Sequence, residues 1–126
     1  MPDWISKTVL VVDNNPANTD SLVMLLNKFG CRTYHVDDTE IGLGYAYTIL
    51  PDVIFHELNM TPMDGFAAAA MLRKDPQFQN TLLVAMVEFP SDEESERARS
   101  IGYDLYLHKP IDLYVLNLIL QRERPH

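Results

Sequence analysis

The sequence predicts an α/β chain: a doubly wound parallel sheet of five strands alternating with five helices. Three observations carry that prediction. Lys7–Asp13 (KTVLVVD), Val53–Phe55 and Thr81–Val87 (TLLVAMV) are nearly unbroken apolar runs, the pattern of strands buried on both faces. Stretches of helical period with recognisable caps lie between them. Strict alternation of the two kinds, joined by right-handed crossovers, leaves a parallel sheet as the consistent architecture.

The elements follow in order. After the first strand, Asn14-Asn15-Pro16 turns the chain, with Asn15 as N-cap and Pro16 at the first helical position. Leu22, Leu25, Leu26 and Phe29 then make one apolar helix face, and Gly30 closes the helix. Cys31–Val36 is a more polar strand, expected nearer an edge, and Asp37–Leu50 is a second helix ended before Pro51. Asp64 caps a third helix, Gly65–Lys74, whose alanines at 67–70 allow close packing on the sheet. Asp75–Asn80 reads as a polar loop ahead of the fourth strand. Ser91-Asp92-Glu93-Glu94 is a capping-box pattern opening a fourth helix, which should be exposed and mobile because Ala98 and Ile101 are its main apolar residues. Tyr103–Leu107 is the fifth strand, and Asp112 caps a last helix reaching about Gln121. That helix is apolar nearly all round from Leu113 to Leu120, which points to a protein partner.

The stretch Pro51–Gly65, PDVIFHELNMTPMDG, organises the chain. Its apolar strand runs out at Glu57 and gives way to the loop residues Asn59, Thr61, Pro62, Asp64 and Gly65. In an open α/β sheet ligands bind outside the carboxyl ends of the strands, so Glu57 holds a privileged place. Related residues end two other strands: Asp13 with Asn14 after the first, Lys109 after the fifth. Other features carry less. Gly42-Leu43-Gly44 has no third glycine, Tyr47 standing there, and reads as helix packing. His56 points opposite to Glu57 by strand alternation, as a packed or surface histidine. His108 adjoins Lys109 without a metal-ligand pattern, and His35 and His126 are isolated in sequence. The acids from Asp92 to Glu96 suit a solvated helix N-terminus.

Composition bounds the function. The 126 residues, 47% hydrophobic and 22% charged, suit one globular domain, and no second domain is expected after the last helix. A net charge of -8 opposes nucleic-acid phosphates and anionic lipid but suits a basic protein surface. The single Cys31 precludes an internal disulfide and reads as a small buried strand residue. With no secretory signal and no membrane-spanning run, a cytoplasmic location is expected.

From VLVVDNNP, PDVIFHELNMTPMDG and GYDLYLHKPID, the chain over about Lys7–Leu120 resembles the receiver domain of two-component response regulators. The resemblance implies a single receiver-like domain over residues 1–126, with a core of about 7–121. It also implies the flavodoxin-like (βα)5 fold with strand order 2-1-3-4-5, and a cis Lys109-Pro110 bond. The position of Glu57 is the family's phosphoacceptor aspartate, and Asp13, Asn14 and Asn59 fall in its acidic, magnesium-binding pocket. Val87 stands where a Ser or Thr reads the phosphoryl group, Lys109 matches the lysine that pairs with it, and Tyr106 matches the switch aromatic.

Three positions depart from the family pattern. Asn14 replaces an acid, so magnesium binding should be weak or absent and no other cofactor is expected. Glu57 replaces aspartate, moving the carboxylate outward by roughly 1.5 Å. Val87 removes the hydroxyl, leaving space for Tyr106 to sit inward. Thr61-Pro62 also stands where the family usually has proline first. Glu57 is then either a stand-in for phosphoaspartate or an inert salt bridge to Lys109. The leading reading is a non-enzymatic pseudo-receiver acting by protein–protein interaction without Asp phosphorylation. Its partner would be a histidine kinase, an output protein or another signalling protein, or a second copy, bound through the fourth helix, fifth strand and fifth helix. The alternatives are an atypical receiver still phosphorylated at Glu57 or a nearby acid, and a small flavodoxin-like enzyme or nucleotide binder. The last lacks a P-loop, a nucleophile elbow and a complete glycine fingerprint.

Overall fold

The computed structural model describes residues 7–122; Trp4 and His126 lie outside the described residues. The elements are β1 (Thr8–Val12), α1 (Pro16–Lys28), β2 (Arg32–Val36), α2 (Thr39–Ile49), β3 (Val53–Glu57), α3 (Gly65–Arg73), β4 (Leu82–Val87), α4 (Asp92–Ile101), β5 (Leu105–His108) and α5 (Leu113–Leu120). The strands form one parallel sheet in the order β2-β1-β3-β4-β5. This is the doubly wound flavodoxin-like arrangement.

Burial follows the apolar runs. Every residue of β3 and β4 is buried, whereas the edge strands β2 and β5 are mixed. Alternation sends Leu10, Val12, Ile54 and Ala85 to one face, with residues of α2, α3 and α4. Val9, Val11, Phe55, Val84 and Met86 go to the other, with residues of α1 and α5. The caps form as the sequence predicts: the Asn15, Asp64, Ser91 and Asp112 side chains each accept a backbone N–H of their helix's first turn. Cys31 is buried just before β2 and forms no disulfide, and burial pushes its thiol pKa up. Among the described residues, no helix is long and apolar enough to cross a membrane.

Several boundaries shift by a residue, and three departures from the sequence expectation have a visible physical cause. The second helix starts at Thr39 rather than Asp37, because the Asp38 carboxylate accepts the Ile41 N–H and so occupies the cap. The expected polar loop at 75–80 contains a 3-10 turn, Pro76–Phe78, and Phe78 is fully buried with its ring edge-on to Tyr47. The fifth strand begins at Leu105 and includes His108. Tyr103 is drawn out of the ladder, its N–H closing α4 on the Ala98 carbonyl and its hydroxyl donating to the Gly65 carbonyl at 2.7 Å.

At the opposite end of the sheet from Glu57, Arg73 ties α3 to its neighbours. It donates to the carbonyls of Phe78, Thr81 and Gly102 and pairs with Asp104 at 2.9 Å; Asp104 also accepts the Leu83 N–H. Nothing local in sequence marks this network, since its partners lie up to 31 residues apart.

The glycines of α2 serve different ends. A Cβ on Gly42 would stand 2.8 Å from a Val12 methyl carbon, whereas one on Gly44 would meet nothing within 4 Å. The Gly42 side of the helix therefore sits on β1 as closely as backbone allows. Gly42→Ala should destabilise the fold by about 1–3 kcal/mol through overpacking. Gly44→Ala, in an exposed helical position, should stabilise it by about 0.5–1 kcal/mol. Urea denaturation of the two variants checks this, and equal effects would contradict the packing described.

Candidate functional site

Three parallel strands deliver their last residues to one cleft. Asp13 follows β1, Glu57 ends β3, and Lys109 follows β5, its N–H bonded to the Val87 carbonyl at 2.8 Å. All three are buried despite their charge. The Lys109 ammonium bridges the two acids, 3.0 Å from Asp13 Oδ2 and 3.0 Å from Glu57 Oε2. The bond to Asp13 is a directed hydrogen bond. Glu57 Oε2 faces the same ammonium in an ion pair of equal length. The remaining carboxylate oxygens use the backbone: Asp13 Oδ1 accepts the Asn15 N–H at 3.0 Å, and Glu57 Oε1 accepts the Asn59 N–H at 3.3 Å.

Two acids share one base, and their ionisation reflects it. Burial pushes the Glu57 pKa above the ordinary glutamate value, with Lys109 and the Asn59 N–H offsetting only part and Asp13 adding to the rise. Burial also disfavours the Lys109 ammonium, but the two carboxylates outweigh it and hold its pKa above the ordinary lysine value.

The loop after β3 is pinned close to this centre. A Cβ on Gly65 would come within 2.9 Å of the Glu57 carbonyl oxygen and 3.0 Å of Leu58 Cα, so only glycine fits unstrained. The Gly65 N–H bonds the Leu58 carbonyl at 3.0 Å, while its own carbonyl takes the Tyr103 hydroxyl. The peptide bonds Thr61-Pro62 and Lys109-Pro110 are both cis, the second as the family resemblance implies.

The sequence-selected residues thus come together unevenly. Asn14, Asn15, Glu57, Asn59 and Lys109 line one open cleft of about 320 Å³. Asp13 lies beneath it, only 2% exposed, and Val87 is fully buried and offers no donor. Tyr106 is half-buried rather than inward: its ring lies against the core, and its hydroxyl accepts the Ser91 N–H at 3.0 Å and donates to Glu94 Oε1 at 2.8 Å. In a capping box the glutamate would reach the cap residue's N–H itself. Here the tyrosine hydroxyl stands between them and ties β5 to the start of α4. Of the histidines, His108 is exposed, and His35 bonds the Asp13 carbonyl at 3.1 Å. His56 points to the other face from Glu57, packed beside Leu10, Val12, Gly42 and Leu72. Sequence reasoning missed Glu88 and Phe89, which complete the cleft. They directly follow β4, so the strand-end rule applied to that strand would have found them.

Residues 9–121 match the family model described as the response regulator receiver domain. The chain belongs to that family. It is 28% identical over 121 residues to the signal transduction histidine-protein kinase BarA of Escherichia coli, covering 96% of this chain but 13% of BarA. With Protein PilH of Pseudomonas aeruginosa the identity is 26%, over 89% of this chain and 96% of PilH. An uncharacterized protein of Leptolyngbya boryana is 27% identical, with 90% and 87% covered. Among solved structures, the chemotaxis protein CheY4 of Vibrio cholerae superposes with a TM-score of 0.85 at 26% identity, covering 93% of this chain and 98% of that one. The receiver domain of the sensor histidine kinase PA1611 of Pseudomonas aeruginosa, with a magnesium ion in its active-site cleft, gives 0.84 at 25% identity, with 93% and 96% covered.

Two predictions arise from the site. Lys109→Met leaves the Asp13 and Glu57 carboxylates buried without a cation and should cost about 3 kcal/mol or more in urea denaturation. Adding Glu57→Gln removes one of the two stranded charges and should recover part of that loss. A Lys109→Met protein as stable as the parent would mean the charges are not coupled.

The second concerns pH. Burial lowers the His56 pKa below its ordinary value, against the bond to the Glu57 carbonyl and the charges of Asp13 and Asp64. The unfolded chain therefore takes up a proton that the folded chain refuses. His56's contribution is fully present above the unfolded histidine pKa of about 6.5 and is lost as pH falls from there toward the lower folded value. Stability measured from pH 8 to 5.5 should fall more steeply for the parent than for His56→Leu; parallel curves would contradict it.

Proposed function

We propose that this receiver domain is a pseudo-receiver: a non-enzymatic signalling module that acts by protein–protein interaction without Asp phosphorylation. The observation that carries the reading is the Lys109 bridge. In this cleft the one ammonium is already committed to both carboxylates, at 3.0 Å each. A phosphoryl group would arrive as added negative charge with no free cation to meet it. Val87 has no hydroxyl to bond such a group, and Glu57 presents its carboxylate one methylene farther out than aspartate would.

The donors present do not suit magnesium. That ion needs near-octahedral oxygen ligands and gives up water reluctantly. Asp13 is occupied by Lys109 and the Asn15 N–H, and Asn14 offers an uncharged amide. Among the described residues, no three His, Cys, Asp or Glu side chains gather where they could hold a metal ion. On this donor set the proposed reading expects weak or absent magnesium binding, and no step of the proposed function depends on it.

The interaction surface we propose is α4, β5 and α5. α5 leaves Leu113, Tyr114 and Leu118 exposed at 55%, 76% and 54%, an apolar face that the described residues leave uncovered. α4 buries only Ala98 completely, and the Tyr106 bond to Glu94 joins it to β5. A histidine kinase, another signalling protein or a second copy would meet this surface.

Acetyl phosphate with magnesium, followed by intact mass, tests the reading: no phosphoryl adduct should form. A gain of one phosphoryl mass overturns it and supports the alternative in which Glu57 or a nearby acid still accepts phosphate. The triple change Asn14→Asp, Glu57→Asp and Val87→Thr should restore uptake around the retained Lys109. Glu57→Asp alone should restore little, because metal ligand, acceptor and reader act as one unit.

A further inference from the structure

The same cleft carries a binding chemistry of its own. Its wall is formed by Asn14, Asn15 and Asn59, the acids Glu57 and Glu88, Lys109 and Phe89. With Asp13 beneath, three carboxylates face one ammonium. Lys109 is already committed to Asp13 and Glu57, and Glu88 is exposed at the rim. The pocket is thus short of positive charge, and an anion entering it would meet a net negative field.

We propose that the cleft receives the guanidinium of an arginine presented by a protein partner. The inference rests on the reading of the cleft as a non-phosphorylated site whose lysine is already committed. Five features favour that occupant. Guanidinium is weakly hydrated and offers five N–H donors in a planar fork, matching carboxylate and amide oxygens without the dehydration a magnesium ion requires. Glu57 lines the cleft with its side chain 8% exposed and is held there by Lys109 and the Asn59 N–H, so a carboxylate is already fixed at the cleft floor. Phe89, 84% exposed at the rim, can lie over an entering cation. The volume of about 320 Å³ is at the lower end for ligand pockets and suits one long side chain better than a nucleotide. The chain's net charge of -8 steers a basic partner toward it.

The test is NMR titration of the intact 15N-labelled protein with N-acetylarginine amide, N-acetyllysine amide and magnesium chloride separately. The arginine amide should shift the backbone signals of Asn14, Asn59, Glu88 and Phe89, saturating at about 1–10 mM. The lysine amide, a point charge without the fork, should bind several-fold more weakly, and added salt should weaken both. Glu88→Gln and Phe89→Ala, both at exposed positions, should each weaken the arginine amide about three- to ten-fold with the fold intact by circular dichroism. No shift at these residues, unchanged affinity in both variants, or magnesium saturating the same signals at lower concentration would overturn the inference. Intact mass keeps the two readings apart: a protein that takes up neither phosphate nor arginine amide loses this inference and keeps the pseudo-receiver reading.

Discussion

Everything at the carboxyl edge of this sheet depends on one buried ammonium between two carboxylates. At 3.0 Å, each Lys109 pair contributes an attraction of about 5 kcal/mol at an effective dielectric near 20. Removing three charges from water costs several kcal/mol per ion, so the arrangement is not a net source of stability in any simple sense. Its consequence is a constraint. With the lysine in place the acids are tolerable, and without it two like charges would share one pocket. The fold therefore requires Lys109 at the end of β5, Asp13 after β1 and Glu57 at the end of β3.

The scaffold meets that requirement through backbone. β3 sits centrally with β1 on one side and β4 on the other, so Asp13 and Glu57 end adjacent strands, while Lys109 reaches across from beyond β4. The loop after Glu57 can return closely only because Gly65 has no side chain to collide with the Glu57 carbonyl. Tyr103 then fastens the start of α3 to the start of the fifth strand by a buried hydrogen bond. Site and core are thus continuous, and the ion triad inherits the rigidity of two fully buried strands.

The outer surface is built differently. α4 carries acids in its first turn, buries little, and is linked to β5 by the relay from the Ser91 N–H through the Tyr106 hydroxyl to Glu94. Tyr106 is engaged with the helix cap while Val87 offers nothing to bond on the site side. The same bonds that order α4 hold the aromatic ring in place, so the cap and the ring cannot move independently.

Local pattern alone determined much of this protein. The apolar runs, the caps at Asn15, Asp64, Ser91 and Asp112, and the strand-end placement of Asp13, Glu57 and Lys109 are written in short stretches of chain. The period of a strand or helix is a local property, and so is the need to end one with a polar residue. Tertiary structure alone decided which charges pair, because Lys109 lies 96 residues from Asp13 and a single ammonium had two acids to choose between. It took both. It also decided that Tyr103 leaves the fifth strand to bond Gly65, that Phe78 in a polar-looking turn fills the core, and that Arg73 reaches Asp104. Each is a contact between segments distant in sequence, where packing geometry rather than residue pattern selects the partner.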